Sequence, residues 1–295
     1  MSISPTPSKI SLPQINPGCT TVLDYLTLKF PLISSDIWRQ RMNEGKVHTS
    51  DGSLLSTDSP YQAKLLVHYY REVSQEQIIP FKEQILFQDD EILVAYKPHF
   101  LPVTPGGRFV NECLQSRLRE TTQIADLQAL HRLDRVTAGL VLLAKNRANR
   151  ALYHSLFSQR KIHKTYQAVS LINAHTDYTG RHWQVKNRIT RSQPQFLMRI
   201  SEGEANSHSE IQCVKQQGNK ALFELQPITG KTHQLRLHMH SIGLPILGDT
   251  NYPVLQPAQK DNFNQPLQLL AKTLSFIDPV SGEQRFFECH QQLSL

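Results

Sequence analysis

The run GLVLLAK, residues 139–145, is the feature that most constrains how this chain folds. It is almost wholly aliphatic and stands a few residues after HRLDR, residues 131–135, in which Asp134 lies between two arginines. A short, continuous apolar run is typical of a strand buried on both faces. The pattern therefore predicts a core strand that fixes a charged loop at its beginning.

Other patterns predict the remaining framework and the fold class. Strand patterns recur at ILVAY, KTYQAVSLI and ALFELQPI, and LQLLAKTLSFIDPVSGEQRFFEC is typical of a closing hairpin with its turn at Asp278 to Gly282. Helical spacing occurs in NECLQSRLRE, RANRALYHSLFSQRK and THQLRLHMHSIG. Because strands and helices do not alternate strictly, we predict an α+β fold with a mixed, mainly antiparallel central sheet and flanking helices.

Two of these helices carry more detailed expectations. The helix in THQLRLHMHSIG should begin at Thr229 or Thr232, which can cap it, and should end at Gly243. The apolar spacing in RANRALYHSLFSQRK predicts that one face packs inward. The residues expected on that face are Ala148, Leu152, Leu156 and Phe157.

The chain is expected to have three parts. Residues 1–19 are polar and proline-containing, which predicts a flexible N-terminal arm with no signal peptide. Residues 20–75 form a small α/β module, in which TVLDYLTLKF and SSDIWRQRMNEGKV are predicted helices, the second capped by Ser34 or Ser35, and KLLVHYY is a predicted strand. Residues 76–295 form the larger, catalytic domain.

Positive charge is concentrated in one part of the chain. Lys and Arg number 32 against 25 Asp and Glu, and from Arg135 to Ser201 twelve basic residues accompany a single acidic one, Asp177. Such a stretch is either a solvated basic face or a face that binds phosphates, and charge alone leaves both interpretations open.

Cysteine and histidine patterns favour a protein without metal. The four cysteines are scattered and form no C-x-x-C pair, which favours a reduced compartment, and we expect a cytoplasmic protein without a membrane span. His233, His238 and His240 do not share one face of a helix, and H-E-x-x-H is absent from the sequence. We therefore expect no metal site.

Three residues are candidates for chemistry. Asp134 is either a loop aspartate paired with Arg132 or Arg135, or an ionised nucleophile whose pKa is lowered by these cations. Arg236 lies mid-helix between two leucines, so it should be partly buried and need a carboxylate or phosphate partner, for which Asp134 is a candidate. Tyr166 follows KIHK and is either a core aromatic or a stacking surface for a base.

Five stretches together resemble the RluA-type family of RNA pseudouridine synthases. They occur in the family's order and spacing and cover about Gln84 to Phe287. The stretches are DDEILVAYKPHFLPVTP, HRLDRVTAGLVLLAKN, KTYQAV, TGKTHQLRLHMHSIGLPILGDTNY and LQLLAKTLSFIDPVSGE. The N-terminal module more faintly resembles a small RNA-binding domain of the ribosomal-protein type, although Tyr25 stands where a lysine is common.

The resemblance implies a pseudouridine synthase fold and isomerisation of uridine in ribosomal or transfer RNA by a monomer, with neither cofactor nor metal. It implies that Asp134 is the catalytic nucleophile or charge stabiliser, that Tyr166 stacks on the flipped base and that Arg236 pairs with the aspartate. Substrate-binding positions would be Leu235, Arg132, Arg135, His131, Thr137, Lys164, Lys231 and His233. An RNA-binding protein that keeps the fold without turnover, and a hydrolase with an aspartate nucleophile, are the alternatives.

Overall fold

The structure is a computed structural model that describes residues 2–4, 6–257 and 260–295. It divides the chain into two compact units, one of Met1–Gln77 with Gly106–Asn111 and one of Ile78–Pro105 with Glu112–Leu295. Across the residues that it describes, no helix has the length and apolarity needed to cross a bilayer.

Within its described residues the small unit contains two helices, a two-stranded sheet and a three-stranded sheet. Thr21 caps the first helix in a capping box with Asp24, and the Ser34 hydroxyl accepts a hydrogen bond from the backbone of Ile37 in the second. Both predicted helices are confirmed. The elements are β1 (Ser2–Ile3), β2 (Ser8–Ser11), α1 (Val22–Lys29), α2 (Ser35–Asn43), β3 (Val47–Thr49), β4 (Leu66–Tyr69) and β5 (Glu72–Val73).

Residues 1–19 were expected to form a flexible arm. In the part that the structure describes, they contain two paired strands instead, and Met1 and Pro5 lie outside the described residues. β2 pairs antiparallel with β4, and β1 pairs with β5. Leu12 and Cys19 are buried in the same apolar cluster as Trp38. The strand was missed because its residues SKIS are mostly polar, and pairing with a distant strand decides its conformation.

The large unit is organised by one sheet. Its described strands form an 11-stranded sheet in the order β12-β11-β13-β14-β10-β15-β9-β7-β6, with β16 on β15 and β8 on β9. β9 and β15 are parallel, and the other described pairs are antiparallel. The predicted mixed, mainly antiparallel sheet is confirmed.

The strands of this sheet are as follows, in chain order. They are β6 (Gln84–Gln88), β7 (Ile92–Lys97), β8 (Gln128–Ala129), β9 (Ala138–Ala144), β10 (His163–Leu171), β11 (His182–Arg191), β12 (Met198–Ser201), β13 (Ser207–Gln217), β14 (Lys220–Pro227), β15 (Leu269–Ile277) and β16 (Gln284–Glu288). β9 is the core strand predicted from GLVLLAK, and all its residues are buried. β11, β12 and β13 were not predicted.

In the part of the chain that the structure describes, three helices accompany this sheet: α3 (Leu114–Thr122), α4 (Arg150–Ser158) and α5 (Gln234–Ser241). The prediction of the inner face of α4 is partly wrong. Tyr153 is buried with Leu156, whereas Leu152 is 45% exposed. Tyr153 can be buried because its hydroxyl lies 3.0 Å from both carboxylate oxygens of Asp278. Ala148 precedes the helix and is exposed, and Phe157 is partly buried.

The beginning of α5 also differs from the expectation. Neither Thr229 nor Thr232 caps it; His233 occupies the N-cap position with φ +56°, without a side-chain cap hydrogen bond. The Thr229 hydroxyl instead donates to Gln234 Oε1 at 2.7 Å. The helix does end before Gly243, which has φ +79° as predicted for a left-handed end.

Candidate active site

Asp134 lies in the turn between β8 and β9. The backbone N–H of Thr137 donates to the Asp134 carbonyl at 3.0 Å, which closes the turn, and the Thr137 side chain is buried. The side chain of Asp134 keeps 26% of its exposure. The strand β9 therefore fixes the loop, and the loop leaves one carboxylate partly accessible.

Arg236 supplies the first partner of this carboxylate. Its Nη1 lies 3.2 Å from Asp134 Oδ2, which confirms the predicted contact between α5 and the loop. The side chain of Arg236 is 3% exposed. Burial disfavours its charge, but the hydrogen bonds and charge of Asp249, together with Asp134, raise the pKa of Arg236 above its usual value.

Asp249, which the sequence did not single out, binds Arg236 on the side away from Asp134. Arg236 Nε donates to Asp249 Oδ2 at 2.7 Å, and Nη2 donates to Oδ1 at 2.6 Å. Oδ1 also accepts from the backbone N–H groups of Asn251 and Tyr252. The signal was present in the GDTNY segment, but the sequence offered no means of linking that aspartate to Arg236.

His233 and Tyr252 lie beside the same carboxylate. His233 Nε2 is 3.7 Å from Asp134 Oδ2, and Nδ1 is 2.8 Å from the Tyr252 hydroxyl. Burial lowers the pKa of His233, and the charge of Asp134 offsets part of this effect. Within residues 2–4, 6–257 and 260–295, Asp134 Oδ1 has no hydrogen-bond partner, whereas Oδ2 faces both Arg236 and His233.

Tyr166 is buried in β10, opposite Leu225 of β14 and Ala271 of β15. Burial, reinforced by the charge of Asp134, raises the pKa of Tyr166, so its phenol stays protonated at neutral pH. Leu235 precedes Arg236 on α5 and is also buried. The structure thus brings Asp134, Tyr166 and Arg236, from three separate segments, into one site.

Several residues expected to bind RNA are instead engaged within the protein. His131 Nε2 accepts a hydrogen bond from the backbone N–H of Leu142 at 3.1 Å, and burial lowers the pKa of His131 to about 3. Thr137 is buried. Arg135 binds both carboxylate oxygens of Asp261, at 2.8 and 2.7 Å. These positions have structural contacts in place of the expected free side chains.

The other expected RNA contacts remain open to solvent to different degrees. Arg132 and Lys231 are exposed. Lys164 is partly buried, and burial lowers its pKa.

Lys97 is a second residue that the sequence reasoning left unassigned. It is fully buried at the end of β7, and Nζ donates to the carbonyls of Pro98, Leu101 and Arg135 at 2.8, 2.7 and 3.1 Å. Burial lowers the pKa of Lys97 well below its usual value, although the nearby charge of Asp134 opposes this. These hydrogen bonds connect the loop after β7 to the backbone of Arg135, the residue after Asp134. In the described ranges no group of three or more His, Cys, Asp or Glu residues could hold a metal ion.

The sequence model of the RNA pseudouridylate synthase family matches residues 91–241 of this chain, and this range includes Asp134, Tyr166 and Arg236. The chain belongs to the RNA pseudouridine synthase family. Among its relatives, the dual-specificity RNA pseudouridine synthase RluA of Vibrio vulnificus is 32% identical over 215 residues, covering 67% of this chain and 79% of the relative. RNA pseudouridine synthases are isomerases, and this chain is an isomerase of the RluA type.

Two further comparisons agree with this assignment. The ribosomal large subunit pseudouridine synthase C of Rickettsia bellii is 35% identical over 175 residues, which cover 58% of this synthase and 56% of the relative. The human RNA pseudouridylate synthase domain containing 4 superposes with a TM-score of 0.53 and 27% identity, over 71% of this synthase and 88% of that chain. The pseudouridine synthase fold expected from the sequence is confirmed.

Proposed function

We propose that this synthase converts specific uridines of ribosomal or transfer RNA to pseudouridine, with Asp134 as the catalytic carboxylate. One observation carries the proposal. Asp134 Oδ2 is held by Arg236 Nη1 at 3.2 Å, whereas Oδ1 has no partner in the described part of the chain and the side chain is 26% exposed. A carboxylate held on one side and open on the other is suited to act on a bound substrate.

The reaction breaks the bond between the sugar C1′ and the uracil N1, turns the uracil over and joins its C5 to C1′; C5 then loses its proton and N1 gains one, so the product is an isomer of the substrate. An ionised carboxylate can serve this sequence as a nucleophile on C1′, or as a charge stabiliser while a sugar proton leaves. Arg236 supports both routes, because its Nη1 holds Asp134 Oδ2 at 3.2 Å and fixes the position of the carboxylate. No cofactor enters either route.

Tyr166 is proposed to stack on the flipped base. Its ring is buried beside Asp134, and its raised pKa keeps the hydroxyl neutral next to the carboxylate. Leu235 would line the apolar part of the same pocket. Removing the base from its stack costs a few kcal/mol, and contact with an aromatic side chain offsets part of this cost.

The RNA backbone is proposed to lie on the cationic side chains around the site. Arg132 and Lys231 are exposed, as are Arg147, Arg160 and Lys161 near α4. In the small unit Arg41 and Lys46 both pair with Glu72, while Lys9, Lys29, Arg39 and Lys64 are exposed. We assign the first RNA contacts to residues 76–295, because Arg132, Lys231 and the three exposed cations near α4 belong to the same compact unit as Asp134.

The names of the relatives suggest where to look for the substrate. The Rickettsia bellii relative is named for the ribosomal large subunit, and the Vibrio vulnificus relative is named as dual-specificity. Because this chain spans 56% of the Rickettsia enzyme, we extend its substrate only as a proposal. We propose ribosomal RNA of the large subunit as the first substrate to test, transfer RNA as the second, and a monomer acting in the cytoplasm.

A pseudouridine map of total RNA from cells with and without this gene tests the proposal. Sites lost without the gene should return with the native chain and stay absent with Asp134→Asn or Asp134→Ala, while RNA binding by either variant persists. Full restoration by either variant would contradict the role of Asp134. A map that does not change on loss of the gene, with RNA binding retained, would favour an RNA-binding protein without turnover.

A further inference from the structure

His233 has a backbone conformation that is uncommon for residues other than Gly. Its φ is +56° at the N-cap of α5, which is in the left-handed region. Such a conformation costs of order 1 kcal/mol and persists when the surroundings hold it. The side chain is therefore the place to look for what this histidine contributes.

The imidazole of His233 is held between two groups. Its Nδ1 lies 2.8 Å from the Tyr252 hydroxyl, and its Nε2 lies 3.7 Å from Asp134 Oδ2. The ring packs edge-on against the Tyr252 ring with centroids 5.6 Å apart, and the side chain is 11% exposed. These contacts leave the imidazole little freedom to rotate.

The surroundings select one tautomer of this imidazole. The Tyr252 hydroxyl accepts from the backbone N–H of Met198 at 2.9 Å, and its single proton can go to the Met198 carbonyl or to His233 Nδ1. An unprotonated Nε2 would face the negative Asp134 carboxylate, which is unfavourable. The Nε2–H tautomer is favoured, with Tyr252 donating to Nδ1 and the Nε2–H directed at Asp134.

We propose that His233, oriented by Tyr252, is a positioning residue that holds Asp134 Oδ2 together with Arg236 and so directs Oδ1 at the substrate. The inference rests on the proposed catalytic role of Asp134. Nη1 of Arg236 and Nε2 of His233 approach the same oxygen, at 3.2 and 3.7 Å. The second distance exceeds a hydrogen bond, and such contacts tighten in many enzymes when substrate binds.

Tyr252 connects this arrangement to the strand β12. Its hydroxyl binds the backbone of Met198, and its ring packs in the cluster formed by Ile189, Leu197 and Leu237. Two side chains, Tyr252 and His233, therefore link the edge strand of the sheet to the carboxylate of Asp134.

A simpler role for His233 is to adopt the left-handed conformation at the start of α5. Two substitutions separate the roles. In His233→Gln the side-chain amide reaches about as far as Nε2 and can donate to Asp134, whereas the amide of His233→Asn ends near Nδ1. Asn tolerates the left-handed conformation better than Gln does. If His233 positions Asp134, His233→Gln should be more active than His233→Asn. If His233 serves only the backbone conformation, His233→Asn should be the more active variant.

The experiment measures single-turnover rate and RNA affinity for the full-length chain with total RNA from cells lacking the gene. We expect His233→Asn and Tyr252→Phe to lower the rate about 10- to 100-fold with RNA affinity within about twofold, because small misplacements of a reacting group reduce rates strongly. His233→Gln should keep a rate at least about fivefold above that of His233→Asn. His240→Gln, on the same helix, and Tyr61→Phe, whose hydroxyl donates to Pro13 in the small unit, are the matched controls.

Two results would overturn the inference: a rate in His233→Asn equal to or above that in His233→Gln, or an undiminished rate in Tyr252→Phe. Thermal unfolding of each variant identifies a loss of rate that is caused by misfolding. The rates of His233→Gln and His233→Asn are then compared for the folded proteins only. Asp134→Asn is measured in parallel. If Asp134→Asn is active, the proposed function fails. If it is inactive while the rate of His233→Asn equals or exceeds that of His233→Gln, the inference about His233 alone fails.

Discussion

Arg236 is bound more closely to Asp249 than to Asp134. The two hydrogen bonds to Asp249 are 2.7 and 2.6 Å long, against 3.2 Å to Asp134, and the side chain of Asp249 is 1% exposed. A guanidinium that binds one carboxylate through two N–H groups has its orientation fixed. Asp249 therefore aims the remaining Nη1 at Asp134, so the site contains a buried carboxylate that orients the arginine and an accessible one that the arginine holds.

Asp249→Asn is expected to disturb both stability and activity. It removes the charge that compensates the buried Arg236, and breaking a buried pair in this way costs about 3–5 kcal/mol. The freed guanidinium should turn toward Asp134, and we expect the single-turnover rate to fall at least about tenfold. Urea denaturation and the rate measurement check this, with Glu288→Gln as the control, because its pair with Lys272 is 46% exposed on the glutamate and should contribute at most about 1 kcal/mol. An equal, small loss in both variants would contradict the buried-pair argument.

Lys97→Met tests whether the buried ammonium group fixes the loop that carries Asp134. Methionine fills a similar volume but leaves the carbonyls of Pro98, Leu101 and Arg135 without their donor. We expect the free energy of unfolding to fall by about 1–3 kcal/mol, because unsatisfied buried acceptors cost this much while the desolvation of the charge is relieved. The rate should also fall, since Arg135 follows Asp134. Lys145→Met, which removes a donor to the Asp89 carbonyl, is the control for rate; a normal rate in Lys97→Met would mean that the loop is fixed without Lys97.

Local pattern was sufficient to predict the elements whose surroundings lie nearby in sequence. The continuous apolar run of β9, the cap at Ser34 and the hairpin turn after Ile277 each depend on residues that are adjacent in the sequence. Arg236 between two leucines predicts its own burial and its need for a carboxylate. The residues alone made Asp134 a candidate partner of Arg236, and the resemblance to the family implied the pair.

Distant contacts decided what the sequence could not predict. Tyr153 lies on the buried face of α4 because its hydroxyl donates a hydrogen bond to Asp278, which is 125 residues away in the chain. β11 to β13 were missed because their polar side chains alternate with a few buried ones, and β11 reads as HWQVKNRITR. The conformation of His233 and the pairing of Arg236 with Asp249 depend on geometry that no spacing rule contains.

Gly139→Ala is expected to prevent stable pairing of β9 with β15. Gly139 has φ +122°, and an added Cβ would lie 2.7 Å from the Cα of Ala271 and 2.5 Å from its backbone nitrogen. Strain at this φ and the overlap with backbone should together lower the free energy of unfolding by about 3 kcal/mol or more. Gly180→Ala is the matched control, because Gly180 also has a positive φ of +75° but has no atom within 4 Å of an added Cβ, so its cost should stay near about 1 kcal/mol. Chemical denaturation of both variants measures the difference, and similar losses would show that the close approach to Ala271 is readily relieved.

Stability should decrease as pH falls from about 6.5 toward 4, the window set by three histidines whose pKa is lowered in the folded chain. Burial lowers the pKa of His131 to about 3, and that of His99 and His238 to about 4, against about 6.5 in the unfolded chain. Below pH 6.5 the unfolded state therefore binds protons that the folded state does not, and unfolding becomes easier. Each histidine adds a slope of up to about 1.4 kcal/mol per pH unit to the free energy of unfolding.

The measurement is urea denaturation between pH 7.5 and 5, where few carboxylates titrate. His131→Gln should make the slope shallower by about one proton, because the glutamine oxygen can accept from the Leu142 N–H without titrating. His175→Gln, at an exposed position, should leave the slope unchanged. A slope in His131→Gln identical to that of the native chain would mean that the imidazole of His131 takes up a proton in the folded state, and its structural role as an acceptor for Leu142 would have to be abandoned.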